Sequence, residues 1–356
     1  MQRDEITRWL REEDEASLEE LWRLADERRR ANVGDEVHLR GLIEISNYCS
    51  RLCHYCGLRA DNVRIERYRM TENEIVECAH QAASFGYGTV VLQSGEDFGL
   101  SADWVAKLVA RIKKETPLAV TLSLGERCDA DLAAWRDAGA DRYLLRFETS
   151  NRELFDKIHP PRKGKRSDRL AILRRLRELG YETGSGVMIG IPGQTYDDLA
   201  DDVETFAQLD LDMIGVGPFI AHPDTPLGGR PGAGDTALGD QVPATELMTY
   251  KVMALARMAC PLANIPSTSA LATLNLEEGR ELGLVRGANV VMPNVTPPDY
   301  RFKYEIYPAK ACIHETAAAC HGCMKRRITS LGRSVGVGRG DSPRRIRSRD
   351  TAVRAG

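Results

Sequence analysis

Three cysteines fall within eight residues of the 356-residue sequence: Cys49, Cys53 and Cys56 in the run CSRLCHYC. Spacings of four and three let three thiolates from one short loop bind three corners of a cubane iron-sulfur cluster, leaving the fourth iron without a protein ligand. An iron with an open position is a place for chemistry. A structural zinc ion would need a fourth ligand, and His54, next to Cys53, serves that geometry awkwardly. A second group, Cys312, Cys320 and Cys323, lies near the C-terminal end. On spacing alone it suits an iron-sulfur centre or, with His314 or His321, a zinc ion. Cys78, Cys128 and Cys260 stand alone, as small buried hydrophobes do.

A loop that carries such a cluster must hang from a rigid element, and the apolar run LIEIS ends just before it. Apolar, β-branched runs recur along the chain at 39–46, 89–94, 118–124, 142–148, 184–190, 211–217, 263–267 and 288–293. Between them lie amphipathic stretches such as SADWVAKLVARIKKE and TYDDLADDVETFAQLD, whose apolar residues recur at three and four. Thr71 followed by Glu74 marks one helix start. Eight alternations fit an α/β fold of the (β/α)8 TIM-barrel type; an open doubly wound sheet is the alternative the same pattern permits. The barrel is preferred because polar and turn-forming residues close many different strands, among them Ser46, Ser94, Ser123, Glu148 and Ser267. The expected organisation is a helical extension over 1–34, the barrel over 35–300, a segment over 301–330 that closes the barrel and carries the second cysteine group, and a flexible basic tail over 331–356.

Composition narrows the function. With 42% hydrophobic and 28% charged residues the chain reads as a soluble protein, and no apolar stretch reaches the ~20 residues of a membrane span. The charged, helix-patterned N-terminus has no apolar leader core, so the expected location is the cytoplasm. A net charge of -3 gives no attraction to nucleic acid or to anionic membranes. Nine cysteines in such a chain point to metal binding rather than to a disulfide framework.

The cysteine loop, with Tyr55 just before its last cysteine and a strand before its first, resembles that of the radical S-adenosylmethionine (radical SAM) enzymes. Gln93–Asp97 (QSGED) after the second strand and Gly190–Thr195 (GIPGQT) after the fifth fit the same family. The resemblance implies a 4Fe-4S cluster whose open iron chelates SAM and cleaves it reductively to a 5'-deoxyadenosyl radical.

The blocks SNYCSRLCHYCGLRADN, VLQSGED, TLSLGE, GADRYLLRFET, IGIPGQT and YPAKACI further resemble the HydE-type maturases of iron-iron hydrogenase, from about residue 30 to residue 326. That resemblance implies a radical step in building the hydrogenase two-iron site. The radical would attack the sulfur of an iron-bound cysteine complex supplied by a partner maturase. Other maturases and an electron donor such as ferredoxin or flavodoxin would be further partners. SAM contacts would fall on Tyr55, Ser94, Thr121, Ser123, Glu148, Arg169 and Ile191. Substrate contacts would fall on Arg146, Thr268, Ser269, Met292, Tyr304 and Tyr307. Cys312, Cys320 and Cys323 would hold an auxiliary 2Fe-2S or 4Fe-4S cluster with no part in catalysis.

The residue chemistry accords with those roles. Arg146 closes an apolar strand, where burial requires an anionic partner, either a substrate group or Glu148. Thr268 and Ser269 suit ligand binding or helix capping equally. Tyr304 and Tyr307, three apart, share a face if their segment is helical. The family carries histidine where this chain has Phe147, which removes a polar neighbour; adjacent strand residues face opposite sides, so Phe147 is expected to face the helices. The runner-up is a related amino-acid mutase such as methylornithine synthase, in which the C-terminal cysteine trio is not a family pattern. A biotin-synthase-like sulfur donor would need cysteines inside the barrel strands, and a cluster carrier would not need the QSGED or GIPGQT turns.

Overall fold

The computed structural model describes residues 1–162, 164, 166–228 and 240–346. Its centre is a parallel sheet of β1 (Glu36–Ser46), β2 (Thr89–Ser94), β3 (Ala119–Ser123), β4 (Arg142–Leu144), β5 (Glu182–Ile189), β6 (Met213–Pro218) and β7 (Val290–Val291), with β8 (Ser334–Val335) on its edge. The strands follow the order β6-β5-β4-β3-β2-β1-β7. The expected seventh strand, 263–267, forms no strand of its own. It still joins the two sheet edges through the bridges Met213–Asn264 and Pro266–Val290, so the wall closes into a ring. A proline cannot donate to the ladder, which explains the break at Pro266.

The period of two along the strands sorts their side chains. Leu42 and Glu44, Val91 and Gln93, Thr121 and Ser123, and Arg146 and Glu148 face the lumen. Ile43, Ile45, Val90, Leu92, Val120, Leu122 and Phe147 are buried in the outer core, against the helices. Phe147 packs on Phe206, ring centroids 5.6 Å apart, as the alternation requires. Thr71 and Glu74 form the expected capping box. At the N-terminus the helices Arg3–Arg11 and Glu15–Val33 pack on the barrel helices Tyr196–Gln208 and Glu246–Ala259.

The C-terminal segment departs from expectation. Residues 331–346 are not a loose tail but fold beneath the N-terminal end of the barrel. There β8 pairs with the start of β1. The Gly340 carbonyl accepts from Arg40 at 3.0 Å and from Asn264 at 3.1 Å, and the Ser342 N–H donates to Glu182 at 3.0 Å. Arg142, fully buried, binds both Glu182 and Asp341. A Cβ on Gly88 would lie 1.6 Å from the Gly338 carbonyl oxygen, so only glycine lets the segment pass. Backbone and charge bonds hold this segment, and hydrophobic periodicity carries no trace of them. Residues 347–356 lie outside the described part.

Candidate active site

The cysteine loop leaves β1 at the C-terminal mouth of the barrel, where βα loops gather reactive groups. Its backbone is tied down from several sides. The Ser50 N–H donates to the Glu96 carbonyl at 3.0 Å, His54 to Ile158 at 2.8 Å and Gly57 to Ile306 at 3.0 Å. A Cβ on Gly57 would lie 2.2 Å from the Glu305 carbonyl oxygen, so the loop's closing turn also needs glycine. Arg51 acts as a strut within the loop. It meets Glu96 at 2.8 Å and Glu126 at 2.5 Å, and Glu126 in turn meets Arg169 at 2.9 Å. These alternating charges join the loops after β1, β2 and β3 to the helix Arg169–Glu178, and their buried ends satisfy one another.

Cys49, Cys53 and Cys56 all line one cavity of ≈ 350 Å³ in the lumen. Burial raises all three thiols; Cys53 is raised further by the facing thiols of Cys49 and Cys56, and Cys56, pushed up to about 12, by Cys49. Among the described residues, the three sulfurs do not converge within 4.8 Å of one another. One tetrahedral ion with metal–sulfur bonds of about 2.3 Å would draw them that close, whereas a cluster offers each thiolate its own iron. The donor set therefore fits a cluster and not a zinc ion.

Around the same cavity stand Tyr55, Ser94, Thr121, Ser123, Glu148 and Arg169, and on its other walls Arg146, Thr268, Ser269, Met292, Tyr304 and Tyr307. Ile191 is the exception. It is buried in a small apolar cluster with Leu154, Met188 and Phe219, beside Tyr55, and supports the wall from behind. The QSGED turn lies beside the cysteine loop, with the Glu96 N–H 3.4 Å from the Cys49 sulfur.

Glu148 holds a left-handed backbone, φ 63°, which a non-glycine residue adopts at a cost of about 1–3 kcal/mol. That turn aims its carboxylate into the cavity. Its Oε1 accepts from the Tyr55 hydroxyl at 3.5 Å, and its Oε2 lies 3.1 Å from the Arg146 guanidinium. Burial, with Glu148 next to it, pushes Tyr55 well above the usual phenol range, so it stays a neutral donor. Arg146 also donates to the Val187 carbonyl at 2.5 Å. The pairing of Arg146 with Glu148 that the sequence left open is therefore present, yet Arg146 Nε and Thr121 Oγ1 are buried without a hydrogen-bond partner among the described residues. Such orphaned donors and acceptors around a cavity fit a zwitterionic, hydroxyl-bearing molecule such as SAM.

Other side chains respond differently from the sequence reading. Ser269 bonds the Tyr307 hydroxyl at 3.0 Å, and Thr268 makes no capping bond. Tyr304 and Tyr307 lie beyond the short helix Pro298–Arg301, in turns rather than on one helical face, and reach the cavity all the same. Sequence reasoning missed Arg51, Glu126 and His159. His159 is buried against Arg169, and burial, with Arg169 and Arg51 nearby, lowers its pKa to about 2. A guanidinium can only donate, so His159 Nε2 accepts from Arg169 and the ring proton sits on Nδ1.

The second cysteine group is arranged otherwise. Cys312, Cys320 and Glu315 bring their ligand atoms within 4.8 Å of one another; Cys323 does not join them. Glu315 escaped the sequence reading because no cysteine or histidine spacing marks it.

Comparison with known proteins places the chain. Residues 43–206 match the Radical SAM superfamily model. Over 341 residues, 94% of each chain, it is 48% identical to the FeFe hydrogenase maturase subunit HydE of Thermotoga maritima. The chain belongs to the HydE family of hydrogenase maturases. A 3-methylornithine synthase of Methanosarcina barkeri is 30% identical over 292 residues, 81% of this chain and 77% of its own. The crystal structure of methylornithine synthase superposes with a TM-score of 0.79 at 26% identity, covering 94% of both chains. This HydE-family chain is accordingly a radical SAM enzyme, and the family implies a 4Fe-4S cluster and SAM. Among the described residues no helix is long and apolar enough to cross a membrane.

Proposed function

We propose that this enzyme acts in the cytoplasm on the assembly of the iron-iron hydrogenase active site, using a SAM-derived 5'-deoxyadenosyl radical to attack the sulfur of an iron-bound cysteine complex. One observation carries the reading: a three-cysteine loop opens onto a lumen whose largely apolar wall is set with a few charged and hydroxyl groups, Arg146, Glu148, Thr121 and Tyr307 among them, in a chain 48% identical to a HydE maturase. The cluster, held by Cys49, Cys53 and Cys56, supplies the electron for SAM cleavage. The protein's part is to bind, orient and keep the site dry. Tyr55, Ser94, Thr121, Ser123, Glu148 and Arg169 hold SAM, with Ile191 packing behind them. Arg146 and Glu148 form a charged pair at the turn between SAM and substrate. Thr268, Ser269, Met292, Tyr304 and Tyr307 enclose the substrate, and Ser269 and Tyr307 fix each other's hydroxyls.

Its partners are a maturase that supplies the iron-cysteine complex, the maturase that receives the product, and a ferredoxin or flavodoxin that reduces the cluster. Cys312 and Cys320 bind metal apart from the radical site, and iron-sulfur chemistry confines the enzyme to oxygen-poor conditions. An amino-acid mutase is the rival reading, favoured by the TM-score of 0.79 to methylornithine synthase; the higher identity to HydE weighs against it.

Product analysis with a carbon-deuterated cysteine in the iron complex tests the attack on sulfur. A thioether joining sulfur to the 5' carbon, its iron–sulfur bond broken and the odd electron left on the iron, with no deuterium in 5'-deoxyadenosine, is the expected result. Deuterium carried into 5'-deoxyadenosine would mean hydrogen abstraction instead.

A further inference from the structure

Among the cations that line the lumen, two stand on separate sides of the ring, each beside one carboxylate. Arg146 on the β4 side stands with Glu148, and Lys310 on the β1 side stands with Glu44. Lys310 belongs to the turn after Tyr307, and Glu44 is a lumen-facing residue of β1. Both are buried: the side chains are 5% and 1% exposed, too little for bulk water to satisfy them.

The two partners are unequally satisfied. Glu44 offers one oxygen to Lys310 and the other to the Asn294 amide at 3.0 Å. An ammonium carries three donors, and among the described residues Lys310 spends only one, on Glu44. The Tyr304 ring lies 5.1 Å from Nζ and holds the ammonium in place by its π face without accepting a conventional hydrogen bond. A buried donor without an acceptor is costly, and more so when it is charged. The Asn294 amide, from the segment after β7, already occupies the other oxygen of Glu44, so the carboxylate has no second oxygen to offer the ammonium. The unspent donors border the cavity that also receives the hydroxyls of Tyr307 and Ser269, a wall suited to oxygen acceptors.

We propose that Lys310 is a substrate-binding residue that holds a carboxylate of the molecule in the lumen, with Glu44 and Tyr304 positioning its ammonium. The inference rests on the lumen being the substrate chamber, as the proposed function has it, and names the substrate group that this wall recognises. It holds equally for an iron-bound cysteine and for a free amino acid, so its failure and that of the maturase reading are separable.

The test uses the anaerobic, cluster-loaded, SAM-bound full chain and titrates it calorimetrically with L-cysteine and with L-cysteinamide, which lacks the carboxylate. The wild type is expected to prefer L-cysteine at least tenfold. Lys310→Met should erase that preference and Lys310→Arg should restore part of it. Glu44→Gln leaves the ammonium and removes its competing anion, so the preference should persist or grow. A structural salt bridge predicts the reverse: Glu44→Gln and Lys310→Met would then do equal harm, with the preference unchanged in whatever protein remains folded. Equal affinity of the wild type for the two ligands, no binding of L-cysteine, or a preference that survives Lys310→Met would each overturn the proposal.

Discussion

The cysteines at 49–56 and those at 312–323 both come in threes, but their surroundings ask different things of a metal. In the first group the sulfurs face one another across a cavity without converging, and their loop is bound to three neighbouring loops through Arg51 and backbone bonds. In the second, the Cys312 and Cys320 sulfurs and the Glu315 carboxylate lie within 4.8 Å of one another, and Arg280 Nη2 lies 3.7 Å from the Cys312 sulfur. The first arrangement leaves room for several irons and for a ligand at one of them; the second is compact and already served by protein groups. Equal numbers of cysteines therefore do not mean equal chemistry: the space the neighbours leave decides it.

Replacing one ligand in each group gives the sharpest contrast. Cys56→Ser should abolish reductive SAM cleavage, a loss beyond the ~10–100-fold that removing an outer-sphere partner costs. Anaerobic assay of 5'-deoxyadenosine with dithionite measures it. Cys320→Ser should spare that activity and reduce metal content instead. Equal loss of 5'-deoxyadenosine in both variants would erase the distinction drawn here.

Glu315 separates the two groups further. Glu315→Gln should weaken metal retention at the second group by about 10–100-fold while Cys323→Ser changes it less, as read by metal analysis after chelator challenge. The opposite ranking would return Cys323 to the ligand set. At the radical site, Glu148→Gln should raise the KM for SAM about tenfold, the equivalent of roughly 1.4 kcal/mol from one charge-assisted hydrogen bond. An unchanged KM would remove Glu148 from the SAM contacts.

The smallest effect concerns pH in the metal-free protein. Burial lifts the folded-state Cys56 thiol from its ordinary value near 9 to about 12, so its contribution to stability is whole below pH 9 and is lost as pH rises toward 12. Near pH 10 the loss is about 1 kcal/mol per such thiol, visible as an earlier urea midpoint that Cys56→Ser flattens. Cys312 has the opposite sign. The bond from Cys320 holds its thiol below the usual thiol range, with Arg280 also favouring the thiolate, so its contribution is present in alkali and is lost as pH falls. A Cys312→Ser variant with the same pH response as Cys56→Ser would contradict that.

Much of this was legible in the sequence because two rules, alternation along strands and loops after strand ends, fix which side chains meet. They put Ser123 at a strand end, turned Arg146 and Glu148 to the lumen and Phe147 outward; Thr121 came from the family resemblance alone. What escaped depends on contacts between distant segments. Ile191 sits after β5 as expected, but packing against Leu154 and Phe219 draws it behind the wall. Arg51 and Glu126 become a strut only when three loops converge. The C-terminal segment looked loose because glycines and charges, rather than apolar periodicity, seat it under the barrel. Glu44 had a signal, since it alternates with Leu42 on β1; Lys310 had none until the chain folded back.

The most direct test of the central claim is an anaerobic maturation reaction containing every other component, run with and without this protein, with hydrogen evolution, the adenosyl thioether and 5'-deoxyadenosine followed together. Hydrogen evolution and the thioether should appear only when the protein is added and both should vanish with Cys56→Ser. Formation of 5'-deoxyadenosine with an inactive hydrogenase would contradict the maturase reading and leave a radical enzyme acting on another substrate.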